Sequence, residues 1–599
     1  MPSSLEDNSP SAPELEPQPT PKAIASRWRR IFTLPSSADV SRIAPDREER
    51  LFLLLSIFIG LISGLLVVSF RMAIEWLNVL LLGSAPHGGQ LRLVIAPAAA
   101  GIVIAILTRW VFPNVRGSGV NQTKAAMYIS NGYISFRTVV GKFFLSALAI
   151  GSGHSLGPED PSLQIGAGVA SVISRRIGLS RERLRIFAPV GAAAGLAAAF
   201  NAPISAILFV IEEVIGTWSS AVLGSIVLSA ISSVVIARWF WGAEPMFRIP
   251  AISLRDPREL LAYAVLGIVG GVASLIFAKA LGYLRPRLRR LGPNAQMFQP
   301  AIAGLLVGGI GYFGFAQVMG PGYSAIDQAM HGQFAWKLLL ALAVLKIVAT
   351  TLSFSSGTPG GMFAPTLFVG AMLGAAVGSL EKVFLPHLTG SIGSYALVGM
   401  GVLFAAFLRA PLTSVFMVLE VSGNYSIIMP VILANTIAYL LSRSLQPIPI
   451  FEIFTHQDGL DLPSMEERRE ESELHLHLED ALEPYNKPTF LGTQSPAAIL
   501  KMMQETVAAV ALIQCADLRW YAARLEEIQT LAADPEAPQS IEPLLGKERT
   551  PSLFPDQPLD TALQPLSRWP LIPITNRSKR GSLEGIITLE SVLKRYQQH

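Results

Sequence analysis

The stretch Gly151-Ser-Gly-His-Ser-Leu-Gly-Pro-Glu-Asp-Pro-Ser-Leu-Gln-Ile-Gly166 breaks a long apolar region with glycines, two prolines and two adjacent carboxylates, Glu159 and Asp160. Backbone that is neither helix nor strand cannot face lipid, because its N–H and C=O groups would go unpaired. At membrane depth such a stretch is buried in protein or lines a wet cavity. Pro161 suits the first position of a new helix running on through Leu163 and Ile165. A helix N-terminus carries partial positive charge and free N–H groups, so it attracts an anion. Glu159 sits where such an anion would sit, and its carboxylate is expected to compete for that site. Taken alone, the same residues also fit a loop glutamate capping a surface helix.

A second stretch of the same kind decides for the first reading. Gly191-Ala-Ala-Ala-Gly-Leu-Ala-Ala-Ala-Phe-Asn-Ala-Pro203 and the following residues to Glu212 lie without a gap over Gly399-Met-Gly-Val-Leu-Phe-Ala-Ala-Phe-Leu-Arg-Ala-Pro411 and on to Glu420. Upstream, Pro161-Ser-Leu-Gln-Ile-Gly-Ala167 lies over Pro365-Thr-Leu-Phe-Val-Gly-Ala371. Small residues line membrane helix contacts in any case, but packing alone does not explain matched prolines and glutamates. The body therefore reads as two related halves, about 50–245 and 255–450, and transporters of that kind place the binding site between the halves.

Composition agrees. Of 599 residues, 51% are hydrophobic and 15% charged, with mean hydropathy +0.45, a membrane composition. Apolar runs such as Leu51–Val68, Leu93–Val111, Val222–Trp241, Leu260–Phe277 and Ile427–Leu441 recur, and many are short or broken by Gly or Pro, as in the half-helices of transporters and channels. Cys515 stands alone, which excludes an intramolecular disulfide and a cysteine metal cluster. A net charge of +4 is too small to argue for nucleic acid.

Residues 1–49 read as a disordered N-terminal segment. Arg27, Arg29, Arg30, Arg42, Arg47 and Arg50 precede the first apolar run and place this end in the cytoplasm. Residues 50–455 form the membrane body. Residues 456–485, with Glu466-Glu-Arg-Arg-Glu-Glu471, read as a linker or amphipathic helix. His475 and His477 there read as solvated rather than metal-binding. Residues 486–599 read as a soluble domain with strands in Pro570–Thr575 and Gly581–Thr588 and helices over Leu559–Leu566 and Leu589–Tyr596.

Three Gly-rich stretches each precede a helix-forming run and converge as N–H donors: Gly117-Ser-Gly-Val120, Gly157-Pro-Glu-Asp-Pro161 and Gly357-Thr-Pro-Gly-Gly-Met-Phe-Ala-Pro365. Ser118 adds a hydroxyl. A site of partial charges holds a chloride-sized anion weakly enough to release it. At this point residues 50–460 resemble the CLC chloride channel and transporter family. Gly117-Ser-Gly, Gly157-x-Glu-x-Pro161, the Gly191–Glu213 segment and Gly360-Gly-Met-Phe-Ala-Pro365 stand in family order and spacing.

The resemblance implies an all-α polytopic membrane fold of two inverted halves with broken helices, working as a homodimer in lipid with chloride and protons as its cargo. It implies that Ser118, with Gly119, lines the central anion site and that Met362 and Phe363 face it through their backbone N–H groups. It makes Glu159 the external gating glutamate and Glu213 the internal proton glutamate of the exchanging branch, where channel members carry an apolar residue. A carboxylate within a bilayer costs about 3 kcal/mol on insertion scales, so its presence suggests use; a helix end in cytoplasmic water is the structural alternative. Glu212 and Glu420 read as structural partners near helix ends.

Three departures stand out. Pro158 removes one N–H and one positive charge from the usual Gly-Arg-Glu-Gly-Pro, Asp160 adds a carboxylate beside Glu159, and Phe451 falls at the position of the family's central-site tyrosine, removing a hydroxyl. The C-terminal segment resembles a pair of CBS motifs, the first (about 487–530) degenerate. Such pairs can bind adenine nucleotides, but no residue here stands out as a nucleotide contact, so no cofactor is expected and a purely structural dimerisation role reads at least as well. Chloride/proton exchange and a passive gated chloride channel both stay open, the first favoured by Glu213. A membrane enzyme lacks a nucleophile–base pair. The resemblance implies a bacterial inner membrane location with both termini cytoplasmic.

Overall fold

The computed structural model describes residues 45–597 except 85, 178–180, 217–219, 248–256, 385–389, 461, 463–475, 535–537, 547, 578 and 580. The N-terminal segment 1–44, the Glu466–Glu471 charge run and His475 lie outside the described residues. The chain divides into two compact units, Met1–Ser464 and Met465–His599.

The first unit is helical. Its first half runs α1 (Pro45–Leu82), α2 (Arg92–Trp110), α3 (Gly119–Tyr128), α4 (Phe136–Gly151), α5 (Glu159–Ile177), α6 (Arg181–Phe200), α7 (Pro203–Phe209) with a π turn over Val210–Ile215, and α8 (Ser220–Trp241). The second runs α9 (Glu259–Arg289), α10 (Pro293–Ile310), α11 (Tyr323–Met330), α12 (Trp336–Ser355), α13 (Phe363–Phe384), α14 (Ile392–Leu408), α15 (Pro411–Ser422) and α16 (Ile428–Leu445), followed by α17 (Ile450–Gln457). Among the described residues, eight helices are long and apolar enough to cross a membrane. The exposed Leu, Ile, Val and Phe side chains of α1, α8, α9 and α10 suit a lipid environment.

The halves repeat element for element, and matched residues make matched contacts. Gly157 and Gly361 pair as an antiparallel bridge, each N–H donating to the other's carbonyl at 2.8 Å. They are equivalent residues, so the bridge lies where a two-fold relation between the halves requires it. Buried Lys142 in α4 donates to the Val115 and Gly117 carbonyls at 3.1 and 2.7 Å. Its counterpart Lys346 in α12 donates to Val318 and Gly320 at 3.0 and 2.6 Å. Each lysine satisfies the carbonyls just before a short helix, which no regular ladder would pair.

Asn201 and Arg409 both adopt left-handed backbone, with φ of 55° and 62°, to end α6 and α14 before Pro203 and Pro411. Asparagine tolerates that region. Arg409 is held there by donating to the Ser442 carbonyl at 2.7 Å. Close helix packing accompanies the repeat: a Cβ on Gly166 would collide with the Gly191 carbonyl oxygen, and one on Gly370 with that of Gly399.

Glu212 and Glu420 exchange roles across the halves. The Glu212 carboxylate accepts from Thr413 N–H at 3.0 Å and Thr413 Oγ1 at 2.7 Å, at the start of α15. Glu420 accepts from Ile204 and Ser205 N–H at 3.0 and 2.8 Å, at the start of α7. Pro203 and Pro411 leave these helix ends with few N–H groups to cap.

The second unit carries two copies of one pattern. A parallel pairing opens each: β1 (Phe490–Leu491) against β2 (Val510–Gln514), and the Leu553–Ile574 bridge. Helical turns follow, α18 (Pro496–Glu505) in the first copy. In the second, a 3-10 turn over Leu559–Ala562 runs into the short α20 (Leu563–Leu566). Antiparallel hairpins come next, β2 with β3 (Trp520–Arg524) and β4 (Ile572–Thr575) with β5 (Leu583–Ile587). α19 (Leu525–Ala532) and α21 (Leu589–Gln597) close the copies. The first copy, degenerate in sequence, is as complete in structure as the second. Its core is Phe490, Ile499, Met503, Ile513 and Ile528.

Candidate anion and proton sites

Pro158 shapes the start of α5. The helix begins at Glu159, so the expectation that Pro161 opens it is corrected: Pro161 occupies the third position. Proline is tolerated throughout the first turn, where N–H groups have no intrahelical acceptor. The Pro158 carbonyl accepts from Ser162 N–H at 3.0 Å and Ser162 Oγ at 2.8 Å, which closes that turn. Both carboxylates therefore sit at the helix N-terminus.

Glu159 is fully buried. Its Oε2 accepts from Ala364 N–H, in the first turn of α13, at 3.3 Å. Its Oε1 accepts from the hydroxyl of Tyr323, the first residue of α11. Asp160 is also fully buried. Its Oδ2 accepts from Ser118 Oγ and from Met362 N–H, both at 3.2 Å. Ser118 is the N-cap of α3, and its Oγ accepts from Val120 N–H at 3.2 Å. Three helix N-termini, those of α3, α5 and α13, thus meet around two carboxylates.

The glycines explain how backbones come so close. A Cβ on Gly119 would run into the Asp160 carbonyl oxygen. One on Gly361 would lie 2.9 Å from Asp160 Cγ. Replacing Gly119 by Ala should therefore force α3 away from α5. Overpacking of this kind costs about 1–3 kcal/mol. A lowered unfolding temperature with impaired anion flux is expected; wild-type stability would mean that the helices separate freely.

Phe363 is buried in an aromatic cluster, 4.9 Å from the Phe209 ring and 5.4 Å from Phe404. The cluster fixes the first turn of α13. Phe451, second residue of α17, is buried, and its carbonyl accepts from Asn121 Nδ2 in α3 at 2.8 Å. It ties α17 to the Ser118 helix by backbone, and a phenyl ring offers no hydroxyl to an anion.

Glu213 lies apart from these groups, in the π turn that follows α7. It is 1% exposed, which removes the solvated-helix-end alternative. Its Oε1 pairs with Lys124 Nζ of α3, itself buried, and its Oε2 has no hydrogen-bond partner. One and a half turns of α3 separate Lys124 from Ser118, so this helix links the two carboxylate centres.

Cavities flank the Glu159–Asp160 pair. One of about 360 Å³ is lined by Arg116, Gly117, Arg285, Arg289, Ser356 and Gly357, and so reaches the residue before Ser118 and the loop before Met362. Asp458 accepts from Arg285 at 2.7 Å and pairs with Arg289. Another cavity, of about 480 Å³, is lined by Arg71, Glu75, Pro158, Gly320 and Tyr323. Both contain arginine, which attracts anions into a low-dielectric cleft. Tyr323, Lys142, Lys346 and Lys124 were not singled out in the sequence. Two of them carry a sequence signal: Lys142 and Lys346 stand at the same separation as Pro161 and Pro365.

A family model described as voltage gated chloride channel matches residues 100–443. The H(+)/Cl(-) exchange transporter ClcA of Vibrio campbellii is 32% identical over 422 residues, which is 68% of this chain and 89% of that protein. Among solved structures, a slow cyanobacterial Cl-/H+ antiporter matches with TM-score 0.62 and 25% identity, over 68% of this chain and 97% of its own. A CLC-type fluoride/proton antiporter matches with TM-score 0.58 and 22% identity, over 69% and 99%. A eukaryotic CLC transporter matches with TM-score 0.57 and 19% identity, over 90% of this chain and 97% of its own, more than the membrane unit alone contains.

Proposed function

The chain belongs to the voltage-gated chloride channel (CLC) family, and from that premise we propose that it exchanges chloride for protons across a membrane. It is a multi-pass membrane transporter rather than an enzyme. The observation that carries the exchange reading is the presence of two separate buried carboxylate centres. Glu159 lies at the facing helix ends, where an anion would lie, and Glu213 lies beside Lys124, midway along α3. An exchanger needs two proton stops, because anion and proton must leave the shared path at one side; a passive channel needs only the gate.

In this reading Ser118 Oγ and the N–H groups at the start of α13 hold the anion. Gly119 and Gly361 let the helix ends approach it, and Phe363 fixes the α13 turn. Phe451 supplies no hydroxyl donor, so the anion is held more weakly, which favours imperfect coupling. Glu159 is the external gate and Glu213 the internal proton glutamate. The Arg116–Arg285–Arg289 cavity faces the cytoplasm and the Arg71–Tyr323 cavity the outside. The family supports a homodimer with one pathway per subunit. The Vibrio relative and the basic N-terminal segment support a bacterial inner membrane with both termini cytoplasmic. The two repeated α/β copies of the second unit we read as a CBS pair serving dimerisation, with an adenine nucleotide as its candidate ligand.

Reconstituted vesicles test the exchange. An outward chloride gradient should drive protons inward against their own gradient, read by a pH-sensitive dye. Chloride current that reverses at its Nernst potential with no proton movement at any pH would make the protein a channel.

A further inference from the structure

Two of the donors expected to hold the transported anion, Ser118 Oγ and Met362 N–H, are both engaged by one oxygen of Asp160. No sequence motif required this. Glu159 alone accounts for a gate, and its carboxylate uses other donors, Ala364 N–H and Tyr323. Asp160 reaches past it to the deeper pair. Its second oxygen, Oδ1, is buried and has no hydrogen-bond partner. A buried carboxylate oxygen left unpaired is costly, and such a group is retained where it is used. The groups facing Asp160 are Glu159 beside it, Ser118 across it and the Lys142 ammonium within electrostatic reach. Lys142 is already committed to the Val115 and Gly117 carbonyls, so it attracts Asp160 without neutralising it in a pair. Glu159 is in turn faced by Tyr323, Arg71 and Lys346.

We propose that Asp160 is a second gating carboxylate, a tethered anion that occupies the central chloride site and yields it on taking up a proton at Oδ1. In the charged form Oδ2 holds Ser118 and Met362 N–H, and chloride is excluded. When a proton binds Oδ1, the neutral carboxyl group is a weaker acceptor, chloride displaces Oδ2 from both donors, and the charge at the site is unchanged. Release of chloride and return of Oδ2 are coupled to loss of that proton. Two adjacent carboxylates titrate as a coupled pair, so the anion site empties and fills in two proton steps rather than one. This deepens the exchange reading and rests on Ser118 and Met362 being the anion donors.

Chloride binding by calorimetry on the purified full chain separates the two. In a Glu159→Gln background the outer carboxylate no longer titrates. Chloride affinity there should still fall several-fold between about pH 5.5 and about pH 7.5, because an anionic competitor is gained as pH rises. Adding Asp160→Gly should remove that pH dependence and raise the affinity at the higher pH. Asp160→Asn, which keeps acceptors for both donors and so guards against misfolding, should also remove the pH dependence. Affinity that is already independent of pH in Glu159→Gln overturns the proposal. In the Glu159→Gln/Asp160→Gly chain, a further Ser118→Ala should weaken chloride binding. If it does not, the anion-site reading itself fails, whatever Asp160 does.

Discussion

Glu159→Gln should move chloride and no protons. The carboxylate sits in the first turn of α5 and accepts from Ala364 N–H of α13 and from Tyr323. Each of those donors serves an anion equally well, so charged Glu159 and chloride exclude one another. A neutral amide cannot carry a proton between solution and the protein interior, and it competes only weakly for donors that favour charge. Proton flux should fall to background while chloride flux persists and loses the part of its activation by external acid that Glu159 supplies. An unchanged ratio of protons to chloride in Glu159→Gln would remove this residue from the mechanism. The Asp160 proposal adds a second expectation: residual acid dependence of chloride affinity survives in this variant.

The organisation of the membrane unit was legible because its signals are residues that backbone geometry demands. Pro203 and Pro411 open helices at matched positions, and Gly166, Gly191, Gly370 and Gly399 stand where a Cβ would strike a carbonyl. Such requirements write themselves into the sequence at fixed spacing. Side-chain partners do not. Tyr323 is one tyrosine at the start of a short helix, and only the packing of α11 against α13 brings it to Glu159. Lys124 reads as one more polar residue after Asn121, Gln122 and Thr123 until α3 is set beside the π turn that holds Glu213. Lys142 and Lys346 are single cations in apolar runs, and their repeat spacing was the overlooked signal.

Pro158 misled in a different way. Its expected consequence is a missing donor and a missing positive charge, whereas its carbonyl also accepts from Ser162 and closes the first turn of α5, which begins at Glu159. In the second unit the first repeat folds like the second although its sequence pattern is weak. Burial of Phe490, Ile499 and Ile513 needs only apolar side chains of about the right size.

Glu213→Gln should abolish proton pumping and keep chloride flux. Glu213 is buried, shares none of the donors at the Glu159 end, and pairs with Lys124 of α3, the helix that Ser118 caps. A group so placed contributes nothing to anion binding, yet its unpartnered Oε2 is an acceptor available to a proton. Lys124 holds the other oxygen. The pair makes a structural role the competing explanation, and the two are separable. Removing one partner of a buried ion pair costs about 3–5 kcal/mol, because the other charge is stranded. Lys124→Met should therefore destabilise the chain, and adding Glu213→Gln should restore much of that loss by removing the stranded charge. A purely structural Glu213 predicts that Glu213→Gln loses stability and both fluxes together. A proton relay predicts that Glu213→Gln, even in a chain restored to wild-type stability by Lys124→Met, still carries chloride down its gradient and moves no protons. Proton pumping that survives in Glu213→Gln would leave Glu159 as the sole proton stop, and exchange would need another inner carrier.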